Sequence, residues 1–126
     1  MDDETSDTNK IAKAIIIDDN EKFLIMRTSM HQTFIGQWDL PGGHIMINEN
    51  IVDGLIREVY EETSLIIINP MELYKKQKIT FFMIDMPKGQ IKLSDEHDKY
   101  ELISFDEINN YEISDKFKEA IRRAYG

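Results

Sequence analysis

The run Gly43-His44-Ile45-Met46-Ile47-Asn48-Glu49-Asn50-Ile51-Val52-Asp53-Gly54-Leu55-Ile56-Arg57-Glu58-Val59-Tyr60-Glu61-Glu62-Thr63-Ser64-Leu65 decides how this chain reads. Its second half has a helical pattern. Ile51, Leu55 and Val59 recur at i, i+4 and i+8, with Val52 and Ile56 widening the apolar stripe. Asn50 is a good N-cap, and Asp53 can complete a shortened capping box. Glu58, Glu61 and Glu62 stand at i, i+3 and i+4, so three carboxylates share one helical face. A like-charge pair costs an isolated helix roughly 0.2–0.5 kcal/mol, and only Glu61 has a basic residue one turn back, Arg57. A Glu-Glu pair alone reads as a solvated acidic face. A hard cation changes that reading, because Mg2+ takes oxygen ligands and shares its shell between carboxylates, water and phosphate.

Upstream, Thr28 to Met46 is a long irregular stretch, and loops of that length inside a compact domain are usually functional. Pro41-Gly42-Gly43 turns the chain sharply, and glycine permits close backbone approach, so a carbonyl there could reach a metal. Taken alone, Gly-Gly is simply a turn. The joint spacing decides the matter. From Gly43, five residues intervene before Glu49 and seven before Arg57-Glu58; Val59, Tyr60, Glu61-Glu62, Thr63, Ser64 and Leu65 follow. This resembles the box of the Nudix hydrolases, G-x(5)-E-x(7)-R-E-U-x-E-E-x-G-U with U aliphatic. Its fixed positions are matched by Gly43, Glu49, Arg57, Glu58, Glu61 and Glu62, and its aliphatic ones by Val59 and Leu65. At ordinary residue usage, such a match at a given register arises by chance on the order of one time in ten million. One position departs: Ser64 stands where the family has glycine, just past the helix end, where a left-handed conformation is common. Serine there costs about 1 kcal/mol. Gly54 inside the helix also costs about 1 kcal/mol against alanine, which a close backbone contact would explain.

The flanks resemble the family too, from about residue 11 to the C-terminus: Arg27 closing an apolar strand, Gly36-Gln37-Trp38-Asp39-Leu40-Pro41 leading into the box, and Ser94 to Tyr100 followed by Ser104 to Ile108. The resemblance implies an α/β (α+β) fold, a Nudix-like α/β/α sandwich with a mixed β-sheet between helices. It implies a Mg2+ cofactor, with Mn2+ as a substitute. Glu58 and Glu62 would be the first metal ligands, Glu61 the next, and the Gly43 carbonyl a further one. Arg57 and Glu49 would pair to hold the loop against the helix and orient Glu58. Water would attack phosphorus and give its proton to a glutamate, either Glu58 or Glu96 in the later loop, with Glu58 ranked ahead.

Other residues have plainer readings beside the functional ones. Asp39 occupies a place where some nucleotide-sanitising members read the base, though a turn aspartate fits equally. Arg27 could contact phosphate or stand solvated at a strand end. Trp38 is read as packing rather than base stacking. His31, His44 and His97 are too scattered for a zinc site, and His97, although beside Glu96, is expected at the surface. Phe81, Phe82 and Met83 are expected in the sheet core.

Around the box, Lys10–Ile17 and Phe23–Met26 read as a hairpin about Asp18-Asp19-Asn20. Strands are expected at 66–68, 79–84 and 100–105, and an amphipathic helix at 114–125, with Phe117, Ala120, Ile121 and Ala124 on one side. Residues 1–9 read as a disordered acidic tail and 10–126 as a single domain, with no internal repeat. The chain has 126 residues, 41% hydrophobic and 31% charged, and no cysteine, which excludes a disulfide scaffold, thiol catalysis and a thiolate zinc site. Its net charge of −9 argues against an extended nucleic-acid surface, whose affinity rests on lysine and arginine.

The N-terminal residues match neither a signal nor a transit peptide, and no apolar run approaches a membrane span, so a cytoplasmic monomer or homodimer acting on a small-molecule nucleotide is expected. Within the family, the proline that marks ADP-ribose cleavage is missing from Lys78-Ile79-Thr80-Phe81. The short length and the Trp38–Gly43 lead-in favour a nucleoside triphosphate, oxidised or noncanonical ones included, cut to monophosphate and pyrophosphate. Nucleotide sugars and dinucleoside polyphosphates are the alternatives. A non-catalytic nucleotide sensor is disfavoured because such domains usually lose box glutamates, and this chain keeps four.

Overall fold

The computed structural model describes residues 9–29 and 36–126; the expected tail lies outside them save for Asn9, and His31 lies outside them as well. The strands are β1 (Ile11–Ile17), β2 (Phe23–Thr28), β3 (Trp38–Asp39), β4 (Gly42–His44), β5 (Met71–Lys76), β6 (Ile79–Asp85) and β7 (His97–Ile103). Helix α1 spans Ile51–Thr63, a short 3-10 helix Phe105–Asn110, and helix α2 Asp115–Ala124. All seven strands belong to one mixed sheet. β1 runs parallel to β6 along its whole length, and the remaining pairings are antiparallel.

Side-chain alternation in β1 divides the core into two layers. Ala12, Ala14 and Ile16 pack with Leu55 and Val59 of α1 and with Leu65, Ile67 and Phe82. Ile15, with Phe23, Ile25 and Phe81, packs against Ala120 and Ile121 of α2 and Ile108 of the 3-10 helix. The sheet is therefore covered by helices on both faces, the expected α/β/α sandwich. Phe81 and Phe82 are core residues, whereas Met83 is only half-buried.

The edge of β1 opposite β6 is split, and the split builds the site. At one end Ile17 pairs with Phe23 of β2. At the other, residues 11–13 pair with β4, and the Ala14 N–H donates to Pro41 O at 2.8 Å. Meanwhile β3 pairs with Met26 and Arg27 of β2. The segment from Trp38 to His44 thus fills the gap where β1 and β2 diverge. Gly42 lies so near β1 that a Cβ on it would stand 2.1 Å from Ala12 O. Its φ of +131° adds a second reason for glycine.

Two sequence expectations need correction, and one strand was not expected. No strand forms at 66–68; burial alternates there, Ile67 buried between exposed Ile66 and Ile68, but no ladder partner lies alongside among the described residues. Strand β7 starts at His97, because it pairs with β2 as far as Thr28. It ends before Ser104, whose N–H donates to the Glu107 carboxylate at 2.9 Å to cap the 3-10 helix. Finally, β5 carries no apolar run. Among the described residues it pairs only with β6, at the sheet edge, and most of its side chains are exposed. Among the described residues no helix is long and apolar enough to cross a membrane.

Candidate active site

Helix α1 carries the acidic face into the split. Asn50 Oδ1 accepts from Val52 N at 2.8 Å and Asp53 N at 3.4 Å, which sets the first turn. At the other end Ser64 adopts the left-handed conformation (φ +68°, ψ 9°), as its place in the box implied, and its N–H donates to Tyr60 O. Gly54 is closely approached, though by side chains where a backbone contact was expected: a Cβ there would lie 2.6 Å from Ile45 Cδ1 and 3.0 Å from Glu49 Oε1. Absence of that side chain lets the 45–49 loop lie flat on the helix.

Arg57 ties that loop down. Its Nε and Nη2 donate to the two Glu49 oxygens at 2.7 and 3.0 Å, a forked pair. Nη2 also reaches His44 O at 3.2 Å, while Nη1 reaches Glu58 Oε2 at 3.0 Å and Glu61 at 3.3 Å. Glu49 in turn accepts from Met46 N. The Glu49 pairing first, then Glu58 and Glu61, hold the guanidinium above its ordinary pKa despite some burial, and Arg57 holds Glu49 below its own. One arginine therefore fixes the loop, the helix and the Glu58 carboxylate together.

Glu58 lies against Gly43: a Cβ at residue 43 would be 2.5 Å from Glu58 Oε1. One turn on, Glu62 is 5% exposed and accepts from Gly42 N at 2.9 Å. Burial pushes it up to about 8, against the pull of Lys13 and the Gly42 N–H. The loop before β7 is pinned to the C-terminal carbonyls of α1, which no helical N–H satisfies. Lys92 N donates to Thr63 O and Ser94 N to Glu62 O, while Ser29 N and Oγ donate to Glu96 O and Asp95 O. These bonds deliver Glu96 and His97 to Glu62; one carboxylate oxygen of each glutamate and a ring nitrogen of His97 all lie within 4.8 Å of one another.

The result is a pocket of about 450 Å³ lined by Gly42, Gly43, His44, Glu58, Glu62, Glu96, His97, Asp39, Lys13, Ile11 and Thr28. Of the residues expected in a site, it gathers Gly43, Glu58, Glu62, Glu96 and Asp39, with Arg57 and Glu49 alongside. Glu61 is outside the lining and 54% exposed along its side chain, paired with Arg57. Arg27 is outside it too, its Nε donating to Asp98 at 2.9 Å. Trp38 packs edge-on against Tyr111, with ring centroids 5.1 Å apart. The expectation for His97 was wrong: it is buried and lines the pocket, because its strand begins there instead of three residues later.

Lys13 is the residue the sequence reading missed. It is only 9% exposed, and its Nζ donates to Asp39 Oδ1 at 3.0 Å, Leu40 O at 3.0 Å and Gly42 O at 3.4 Å. Asp39 Oδ2 faces His97 Nε2 at 3.3 Å. Burial opposes both charges of the pair. It is overcome for Lys13 by Asp39, with Glu62 and Glu58 beyond, and for Asp39 by Lys13 and His97, so lysine is held above and aspartate below its usual value. The signal was available: a single charge in Ile11-Ala12-Lys13-Ala14-Ile15, an otherwise apolar strand.

The donor set suits a divalent cation. Glu58, Glu62 and Glu96 line one pocket, Glu58 against Gly43 and Glu62 with an oxygen near Glu96, and that glycine leaves the room a side chain would take.

The family model for the NUDIX domain matches residues 8–124. An 8-oxo-dGTP diphosphatase of Buchnera aphidicola subsp. Schizaphis graminum is 34% identical over 107 residues, covering 80% of this chain and 81% of its own. Among solved structures, the MutT protein from Methanosarcina mazei Go1 is 27% identical, with a TM-score of 0.74 over 90% of this chain and 89% of its own. A C. elegans Ap4A hydrolase also has a TM-score of 0.74, over 92% of this chain and 96% of its own; at 18% identity that likeness is one of fold. The box, the sandwich and the family model agree, and the chain belongs to the Nudix family of pyrophosphohydrolases.

Proposed function

We propose that the protein hydrolyses a nucleoside triphosphate, oxidised or otherwise noncanonical ones included, to the monophosphate and pyrophosphate, with Mg2+ as the cofactor. The observation that carries this reading is the convergence of Glu58, Glu62 and Glu96 on one pocket beside Gly43. The relative named 8-oxo-dGTP diphosphatase supports the substrate class.

Glu58, Glu62 and the Gly43 carbonyl would hold the cation, with Glu61 next in rank. When bound, Mg2+ supplies polarisation of the phosphoryl oxygens and acidifies water beside it. The chain's own groups do the rest. A water oxygen forms a new bond to phosphorus as the bridging P–O bond breaks, and the water's proton passes to the Glu58 carboxylate, or to Glu96 from the opposite loop. Arg57 and Glu49 keep Glu58 aimed during this transfer. Asp39 lines the pocket with one lone pair of Oδ2 beyond its His97 bond, enough to accept an N–H from a base. Arg27, outside the pocket lining, spends its Nε on Asp98 and keeps its Nη donors for a phosphate.

The test is product analysis on a panel of nucleoside triphosphates including oxidised ones, nucleotide sugars, ADP-ribose and dinucleoside polyphosphates, with Mg2+ and with chelator. Metal-dependent release of monophosphate and pyrophosphate from the triphosphates supports the reading. Cleavage confined to another class replaces the substrate, and binding without cleavage by any replaces the enzyme with a sensor.

A further inference from the structure

His97 has one nitrogen too many for the bonds around it. Its side chain is 4% exposed, its Nε2 faces Asp39 at 3.3 Å, and its Nδ1 is buried with no hydrogen-bond partner among the described residues. A buried polar atom left unpaired costs about 1–3 kcal/mol, and native proteins keep few of them. Against the same ring stand two carboxylates, Glu62 and Glu96, each with an oxygen within 4.8 Å of a ring nitrogen and of the other. Neither carboxylate hydrogen-bonds the ring nitrogen, and an ionised one has no proton to offer it. A cation between the three satisfies all of them. Ligand bonds of about 2.0–2.2 Å place opposite donors roughly 4 Å apart, which the 4.8 Å bound on these three atoms allows.

We infer that His97 is a metal ligand through Nδ1, making with Glu62 and Glu96 a mixed nitrogen and oxygen position that favours a first-row transition cation over Mg2+. The position shares Glu62 with the oxygen-only set at Gly43 and Glu58. Asp39 accepts the Nε2 proton and so fixes the tautomer that leaves Nδ1 bare, the carboxylate–histidine–metal relay common in metalloproteins. Lys13, bonded to the other Asp39 oxygen, anchors that carboxylate from behind. An imidazole ligand raises affinity for Mn2+ and, more strongly, Co2+ relative to a cation that prefers oxygen. The inference rests on the reading that this pocket holds a divalent cation, but not on which substrate is cut.

The experiment is electron spin-echo spectroscopy on the full chain loaded with Mn2+ alone, with Mn2+ and Co2+ affinities measured by calorimetry for the wild type, His97→Ala and His44→Ala. The wild type should show coupling to a directly bound nitrogen. That coupling should vanish in His97→Ala, where Mn2+ affinity falls by about 10- to 100-fold, and persist in His44→Ala. No nitrogen coupling in the wild type overturns the inference, and this needs no variant to fold. So does coupling lost with His44 and kept without His97, or unchanged affinity in His97→Ala. Nitrogen-bound Mn2+ in a protein that cuts no nucleotide leaves the inference standing and removes the proposed function instead.

Discussion

Lys13 has three N–H donors, and all three are spent on Asp39 and on two backbone carbonyls of the turn that leads into the box. Truncating it leaves a largely buried carboxylate and two carbonyls without their donor. Lys13→Ala should therefore destabilise by about 3 kcal/mol, read by urea unfolding; a loss below about 1 kcal/mol would mean that water replaces the ammonium. Gly43→Ala makes the opposite kind of prediction. Its φ lies outside the left-handed region, so the backbone tolerates a side chain, and the clash falls on the carboxylate end of Glu58, which Arg57 holds. Stability should stay within about 1 kcal/mol while turnover falls about 100-fold, since displacement of a reacting group by an ångström costs that much. Equal activity would show that Glu58 need not lie there. The box residues were legible because spacing alone defines them. Lys13 and His97 were not, because their roles depend on which strands the sheet brings beside them.

The helix carrying the box was legible in its stripe, N-cap and end, which lie within one short stretch of sequence, whereas the expected capping box from Asp53 does not form. Its left-handed end gives a direct test: Ser64→Gly removes a Cβ from a φ of +68° at the cost of one weak bond, Ser64 Oγ to Lys92 O at 3.4 Å. It should stabilise by about 0.5–1 kcal/mol in thermal unfolding, and a loss would place the strain elsewhere. Strand β5 was illegible for a physical reason: an edge strand buries little, so Met71-Glu72-Leu73-Tyr74-Lys75-Lys76 shows no apolar alternation. Residues 66–68 misled in the other direction, being apolar enough for a strand but left without a partner. Helix α2 was predicted from its stripe, and its end is held by Tyr125, which stacks on Phe105 and donates to Glu21 O at 2.8 Å. Burial, with Glu21 and Asp18 adding to it, pushes that phenol up to about 12. The folded-state pKa is raised, so the contribution is complete below about pH 10 and is lost as pH rises toward 12. Tyr125→Phe should remove that alkaline loss, measured by denaturant unfolding between those limits, and an unchanged profile would assign it to another group.

At the scale of the molecule, a split sheet brings together groups distant in the chain: Lys13 from β1, Asp39 and Gly43 from the lead-in, Glu58 and Glu62 from α1, Glu96 and His97 from the start of β7. Net charge of −9 fits this design, because carboxylates that hold a cation make a protein acidic while the cation supplies the charge a phosphate needs. Neither the split nor the folding-in of the 94–97 loop is visible in periodicity, which reports local burial and not which strand lies beside which. The account turns on Glu58 as both cation holder and proton acceptor, in a fold that does not depend on it. The deciding measurement is pyrophosphate release from a nucleoside triphosphate with Mg2+ by the wild type, Glu58→Gln and Glu96→Gln, each with its unfolding curve. Loss of at least about 1,000-fold in Glu58→Gln, with the unfolding midpoint nearly unmoved and a smaller loss in Glu96→Gln, is the expected result. Near-normal release by a folded Glu58→Gln would contradict it and move the chemistry to Glu96 or out of this pocket.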